Sequence, residues 1–145
     1  MNDNLTTYQQ ELLSEYRELT SAEDRITWLV ERRPLHETIS DTEATPEKRV
    51  PGCASGLWLE VSYDGSVCFF KARSDSAVIQ GIASYLCDLH SKMEASALLN
   101  IDDQLVASLG LERLLSATRR RAIAVLVNFI QTSARKRIEN DRRCE

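Results

Sequence analysis

Along this chain the hydrophobic positions change period twice, from helical spacing to strand alternation and back, and that switch defines the expected architecture. Over LTTYQQELLSEYREL, residues 5–19, Leu5, Tyr8, Leu12, Tyr16 and Leu19 fall near one helical stripe. Ser21 opens a second helical segment, SAEDRITWLVERR, in which Ser21 and Asp24 resemble a capping box. Ile26, Leu29 and Val30, with Trp28 nearby, give that helix its apolar surface, and Pro34 ends it. Residues 34–46 read as an ordered, irregular connector. Glu47–Val50 then read as a short strand and Pro51-Gly52 as a turn.

Alternation takes over in LWLEVSY and SVCFFKA, which predict two strands joined by a tight turn at Asp64-Gly65. Leu57, Leu59, Val61 and Tyr63 share one strand face, expected in the core, and Trp58, Glu60 and Ser62 share the other. Ser74 or Asp75 is placed to cap a helix running to about Lys92, with Ile79, Ile82, Ala83, Leu86 and Leu89 on its buried face. Gly81 inside that helix costs ~1 kcal/mol relative to alanine, so its presence points to a close backbone approach. Residues 96–101 read as a turn, DDQLVASL as a short helix and Gly110 as its C-cap. Ser116 starts a long final helix, with Ile123, Val127 and Ile130 on one face and Leu126 and Phe129 alongside. Its polar end, from about residue 138 to 145, is expected to be flexible. The order of helices, strands and helices predicts one α+β domain over residues 1–145. A small antiparallel sheet of about three strands would be covered by helices.

Composition narrows the function. The 145 residues are 43% hydrophobic and 28% charged, with a formal net charge of −4. An acidic chain is a poor general partner for polyphosphate, so nucleic-acid binding is not expected. Arg32-Arg33 and Arg135-Lys136-Arg137 read as solvated helix faces. No apolar run reaches the ~18 residues of a membrane helix. The start, MNDNLTTYQQELL, lacks the basic and apolar regions of a secretory signal. The expected location is the cytoplasm, where cysteines stay reduced unless they bind metal or react.

That matters because the chain has four cysteines, Cys53, Cys68, Cys87 and Cys144. No two lie within a metal-knuckle spacing, and His36 and His90 show no metal-like pairing, so no metal is expected. Cys68 in a strand and Cys87 in an apolar helix read as small buried hydrophobes. Cys144, next to the last residue, reads as an incidental thiol. Cys53 lies in RVPGCASGLWLEV, among Gly52, Ala54, Ser55 and Gly56. Small neighbours allow another protein to approach the sulfur and allow the loop to flex, as thiol exchange requires. On local grounds a satisfied turn cysteine and a reactive loop thiol both remain open, the first ahead. A Cys–His hydrolase has no recognisable histidine setting here, and PGCASG lacks the Lys-Ser/Thr pair of a phosphate cradle.

Three segments in order give a resemblance. Arg49 to Leu59, RVPGCASGLWL, resembles the V-x-G-C-x-S-x-V-W-L signature of the SufE family of sulfur acceptors, which includes CsdE. Ser74 to Gly81, SDSAVIQG, is similar to that family's S-D-A-x-I-V-K-G helix start. Leu109-Gly110-Leu111 with Leu115-Ser116-Ala117-Thr118-Arg119 is similar to L-G-L-x-x-H-L-(S/T)-P-(S/T)-R. Here Leu114 replaces the histidine, Ala117 the proline, and Arg120-Arg121-Ala122-Ile123 a following S-N-G-L. The likeness covers roughly residues 8–134 and implies a SufE/IscU-like fold.

The resemblance further implies that Cys53 takes a sulfane sulfur as a persulfide from a PLP-dependent cysteine desulfurase of the SufS or CsdA kind. The sulfur then passes to an iron–sulfur scaffold. PLP would belong to the desulfurase, and this chain would need no cofactor. Gly52 and Ser55 would shape the loop. Asp75 and Arg119, or its neighbours Arg120 or Arg121, would belong to the partner surface, with Trp58 mainly structural. A monomer or weak dimer is expected. The same residues leave open a non-catalytic regulator of a desulfurase, a relay to a different acceptor, and a cluster scaffold.

Overall fold

The structure is a computed structural model and describes residues 7–32, 38–51, 56–99, 110, 113 and 115–143. The expected helix over 102–109, Pro34, His36, the 52–55 loop, Leu114 and Cys144 lie outside the described residues. The elements are α1 (Thr7–Glu18), α2 (Ala22–Arg32), a 3-10 turn (Pro46–Lys48), β1 (Leu57–Asp64) and β2 (Val67–Ser74). They continue with α3 (Ala77–His90), β3 (Met93–Glu94), α4 (Ala95–Leu99) and α5 (Ala117–Arg143). The α+β class and the three-stranded antiparallel sheet, in the order β1-β2-β3, are as expected.

The third strand comes from another place in the chain. Glu47–Val50 does not form it. Pro46 starts a 3-10 turn, and Arg49 after it makes an isolated bridge opposite Trp58. Instead β3, Met93–Glu94, pairs with Val67 and Cys68; it lies between the helix expected to run to about Lys92 and the turn expected at 96–101. Helix α3 stops at His90, short of Lys92, because Lys92 takes a left-handed φ of 63° and its N–H donates to Cys68 O at 2.9 Å. That one residue turns the chain from helix into strand.

The hairpin turn is shifted by one residue. Asp64 pairs with Val67, so Gly65 and Ser66 occupy the centre. Gly65 has φ 60°, and Lys92 is the one non-glycine residue with positive φ among those described. A glycine at the first central position with an ordinary residue after it is the pattern of a II′ turn, not the I′ turn expected at Asp64-Gly65. The inner face of the hairpin is buried at Leu57, Leu59, Cys68, Phe70 and Ala72. Val61 is half-buried and Tyr63 is 37% exposed, so the expected core stripe ends midway along β1. The hairpin tip is held to α5 instead. Tyr63 OH donates to Ser133 O at 3.2 Å, Arg137 Nε donates to Gly65 O at 2.8 Å, and the Arg137 guanidinium lies 5.0 Å from the Tyr63 ring centre.

Helix α3 is buried nearly all round: Ile79 through Cys87, then Leu89 and His90. It lies between the sheet on one side and α1, α2 and α5 on the others. Its N-cap is Ser76, whose Oγ accepts from Ile79 N–H at 3.3 Å, not Ser74 or Asp75. The cap therefore sits deeper along the chain, which frees Ser74 for another partner. Gly81 makes the expected close approach. A Cβ there would stand 2.7 Å from Leu29 O, in the backbone of α2.

The stripe of α1 is rotated relative to expectation. Gln9, Leu12, Leu13 and Tyr16 are buried, while Tyr8 is 50% exposed with its hydroxyl 2.6 Å from Asp88 Oδ2. Gln9 Nε2 donates to Leu89 O and Ser91 O, satisfying carbonyls at the end of α3 that have no partner within the helix. Tyr16, Trp28 and Tyr85 stack at the junction of α1, α2 and α3, with ring centres 5.3–6.0 Å apart. Ser21 caps α2 as expected, accepting from Asp24 N–H at 3.0 Å. Helix α5 buries Ala122, Ile123, Leu126, Ile130 and Ala134, with Val127 and Phe129 half-buried. The segment beyond residue 138, expected to be flexible, continues as helix through Arg143.

Gly81→Ala sets a gain in helix propensity of ~1 kcal/mol against overpacking of about 1–3 kcal/mol, because backbone atoms of α2 cannot swing aside. The expected outcome is a lower midpoint in thermal and urea unfolding. Gly65→Asn meets no atom, but it puts a side chain at a positive φ in the first central position of a II′ turn. Backbone strain alone should cost about 1–3 kcal/mol of stability there and lower the midpoint.

Candidate functional site, the base of the Cys53 loop

Cys53, Gly52 and Ser55 lie outside the described residues, so the structure defines the platform from which their loop springs. Two strand-like flanks close that loop. Val50 N–H donates to Leu57 O at 2.7 Å, and Arg49 bridges Trp58. Gly56, the first described residue after the loop, is buried with φ 74°. A Cβ at Gly56 would stand 2.8 Å from the Trp58 ring and 3.0 Å from Asp75 Oδ2. Glycine is therefore required on two counts, backbone conformation and space.

Gly56 is tied to the start of α3. Ser74 Oγ donates to Gly56 O at 2.8 Å and accepts from Ser76 N–H at 3.2 Å. Ser74 N–H donates to Gln80 Oε1 at 2.7 Å. Gln80 Nε2 donates to Ala72 O at 3.1 Å and to Ser84 Oγ at 2.9 Å. Gln80 is 8% exposed, so its amide spends its hydrogen-bonding capacity internally.

The outer face of the sheet beside this stalk is cationic and aromatic. Trp58 faces Arg73 across the strands, and both the Arg49 and Arg73 guanidinium carbons lie near its ring, at 5.6 and 6.0 Å. Arg73 also pairs with Asp41 and donates to Ile39 O at 3.4 Å, which fastens the connector to the sheet. Lys48 Nζ lies 2.6 Å and Lys71 Nζ 3.9 Å from the Glu60 carboxylate. An open groove of 520 Å³ runs from the connector to the loop base, lined by Thr38, Ser40, Asp41, Arg73, Asp75 and Gln80 among others. No pattern along the chain marks Ser74 and Gln80 as loop supports. A hairpin register centred on Gly65-Ser66 is the signal that finds them, because it sets Ser74 opposite Leu57, beside the loop's exit.

Asp75 is exposed and beside Gly56, so it stands next to the loop. Arg119 is exposed in the first turn of α5, its N–H directed at Ser116 Oγ at 3.4 Å, and Arg120 and Arg121 are exposed too. Among the described residues no ion pair joins Asp75 to Arg119. Cys68 and Cys87 are buried, as expected. Burial pushes the Cys68 thiol up against a lowering influence from Arg137. Burial, reinforced by the Asp88 charge, pushes Cys87 up to about 12. Neither supplies thiolate near neutral pH. His90 is buried with Nδ1 2.6 Å from Leu86 O, and desolvation lowers its pKa. It is a core histidine, held neutral. Among the described residues no three His, Cys, Asp or Glu side chains gather as a metal site, and no helix is long and apolar enough to cross a membrane.

Comparison with known proteins gives the family and agrees with the fold. Residues 10–134 match the SufE family, described as an Fe-S metabolism associated domain, and the chain belongs to that family. It is 25% identical over 132 residues to an uncharacterised SufE-like protein of Rhizobium etli, covering 88% of this chain and 89% of that one. It is 37% identical over 82 residues to a stretch of chloroplastic quinolinate synthase from Nicotiana tabacum, covering 55% of this chain and 11% of that enzyme. In three dimensions it is similar to a hypothetical protein of Thermus thermophilus whose structure was solved in solution. That match has a TM-score of 0.71 and 16% identity, covering 90% of this chain and 96% of the other. The family supports a role in iron–sulfur metabolism and sulfur transfer.

Native protein treated with iodoacetamide at pH 8 should carry no label on Cys68 or Cys87, and both should react once denatured. Labelling of either in the native state would contradict their burial. His90 binds its proton more readily unfolded than folded. Stability should therefore fall as pH drops below the ordinary histidine value of ~6.5. Urea unfolding across that range should show the slope, reduced in His90→Gln.

Proposed function

We propose that the protein accepts a sulfane sulfur from a PLP-dependent cysteine desulfurase as a persulfide on Cys53 and passes it to a scaffold for iron–sulfur cluster assembly. The Cys53 thiolate attacks the terminal sulfur of the desulfurase persulfide. A sulfur–sulfur bond forms at Cys53, the donor's sulfur–sulfur bond breaks, and the desulfurase cysteine departs as thiolate. The exchange needs no external oxidant or reductant. PLP stays with the desulfurase, this chain needs no cofactor of its own, and a reducing cytoplasm keeps Cys53 available.

The observation that carries this reading is the contrast between cysteines in a chain of this family. Cys68 and Cys87 are buried with raised pKa values, whereas the Cys53 loop is closed at its base by Val50 and Leu57 on the sheet edge. Asp75 beside Gly56, and the exposed Arg119 to Arg121, are the side chains offered to the desulfurase in this proposal.

Incubation with a SufS- or CsdA-type desulfurase, PLP and L-cysteine should add one sulfur, about 32 Da by mass, to the peptide containing Cys53. Cys53→Ala should abolish that adduct and the stimulation of desulfurase turnover. Stimulation that survives in Cys53→Ala would establish a regulator in place of a carrier. An adduct confined to Cys68, Cys87 or Cys144 would refute the site.

A further inference from the structure

The amide of Gln80 makes three hydrogen bonds at the loop base, and none of them is needed to form α3. Its Oε1 accepts from Ser74 N–H at 2.7 Å, while Nε2 reaches Ala72 O at 3.1 Å and Ser84 Oγ at 2.9 Å. Ser74, held in this way at the end of β2, directs its hydroxyl to Gly56 O at 2.8 Å. Gly56 is three residues after Cys53, and its left-handed φ sets the direction in which the chain leaves the loop. The chain is thus Gln80 to Ser74 to Gly56, running from a buried helix to the leg of the loop.

Two features mark this as more than ordinary helix capping. The N-cap role belongs to Ser76, which accepts from Ile79 N–H, so Ser74 is free of it. The buried site at position 80 needs one acceptor, for the Ser74 N–H, and donors for Ala72 O and Ser84 Oγ. A lysine ammonium has three donors and no acceptor, so it cannot receive the Ser74 N–H. Glutamine presents an acceptor and donors from one planar group, which suits the buried site.

We propose that Gln80 and Ser74 are positioning residues for sulfur transfer. They hold the Gly56 carbonyl, and with it the C-terminal leg of the Cys53 loop, in the orientation that lets Cys53 meet the donor sulfur in line. This rests on the reading of the protein as a sulfur carrier. The pair touches neither the donor nor the sulfur, so it acts on the rate within the complex and leaves recognition of the desulfurase alone. An orientation fault near a reacting centre is felt in the saturated rate.

The test is a titration of the full-length protein into a fixed amount of desulfurase, with sulfur on Cys53 followed by mass spectrometry. Ser74→Ala removes the hydroxyl with little change in volume. It should lower the saturating transfer rate about fivefold, the net worth of one hydrogen bond, and leave the half-saturating concentration within about twofold. Gln80→Met, which fills the same space without the amide, should do the same, and Ser74→Thr should restore the rate. A saturating rate within about twofold of wild type for Ser74→Ala overturns the proposal, as does a defect confined to the half-saturating concentration. A Ser74→Thr variant as slow as Ser74→Ala also overturns it. If Gln80→Met does not fold, the two Ser74 variants decide the matter. Failure of the wild-type protein to acquire sulfur on Cys53 is a different result, and it removes the carrier reading itself.

Discussion

One helix without a wet side organises this molecule. Helix α3 buries residues around nearly its whole circumference, so every neighbouring element must supply a complementary surface or a hydrogen bond to it. The sheet does so with Leu57, Leu59, Phe70 and Ala72, and α5 with Ile123, Leu126 and Ile130. Helix α2 approaches so closely that backbone meets backbone at Gly81 and Leu29. Burying a helix to this degree leaves its terminal carbonyls without water, and Gln9 from α1 takes up two of them at Leu89 and Ser91. The left-handed Lys92 then lets the chain leave the helix and join the sheet edge within two residues.

The loop base inherits its geometry from that helix. Gln80 is anchored because α3 is anchored, Ser74 because Gln80 is, and Gly56 because Ser74 is. On the other flank, Val50 and Arg49 are fixed by pairing with Leu57 and Trp58. A thiol that exchanges sulfur with another protein must be reachable, and reach is compatible with accuracy when the ends of its loop are rigid. The cationic pair stacked on Trp58 and the ion pair from Arg73 to Asp41 stiffen the outer side of the same platform.

The cysteines show how one residue type is divided by environment. Cys68 and Cys87 fill space in the sheet and in α3, and the loss of hydration raises the cost of ionising them. They behave as hydrophobes, which leaves the core chemically quiet. His90 is treated in the same way: its ring fills core volume, its Nδ1 meets a backbone carbonyl, and the neutral form is favoured. A potential base and two potential nucleophiles are thereby withdrawn from chemistry by burial alone.

Much of this was written in the sequence. Period and punctuation located the helices, the hairpin, the Ser21 cap and the tight Gly81 contact, because each depends on residues near one another in the chain. The same residues that resemble the family signature singled out Cys53, which no periodicity could do. Other features depended on contacts between distant segments. The third strand is Met93–Glu94 and not Glu47–Val50, because Lys92 could close onto Cys68 only once the hairpin existed. The α1 stripe centres on Gln9 because α3 ends there with carbonyls to satisfy, a demand that no local pattern displays. Tyr63 leaves the core because α5, not the sheet, receives it. Ser74 supports the loop and does not cap the helix, because the hairpin register sets it opposite Leu57 and so beside Gly56, the residue just before β1. The sequence by itself determined most of the elements and the family signature around Cys53. The tertiary structure decided which polar groups must be satisfied across elements, since a buried donor or acceptor takes its partner from whatever the fold places beside it.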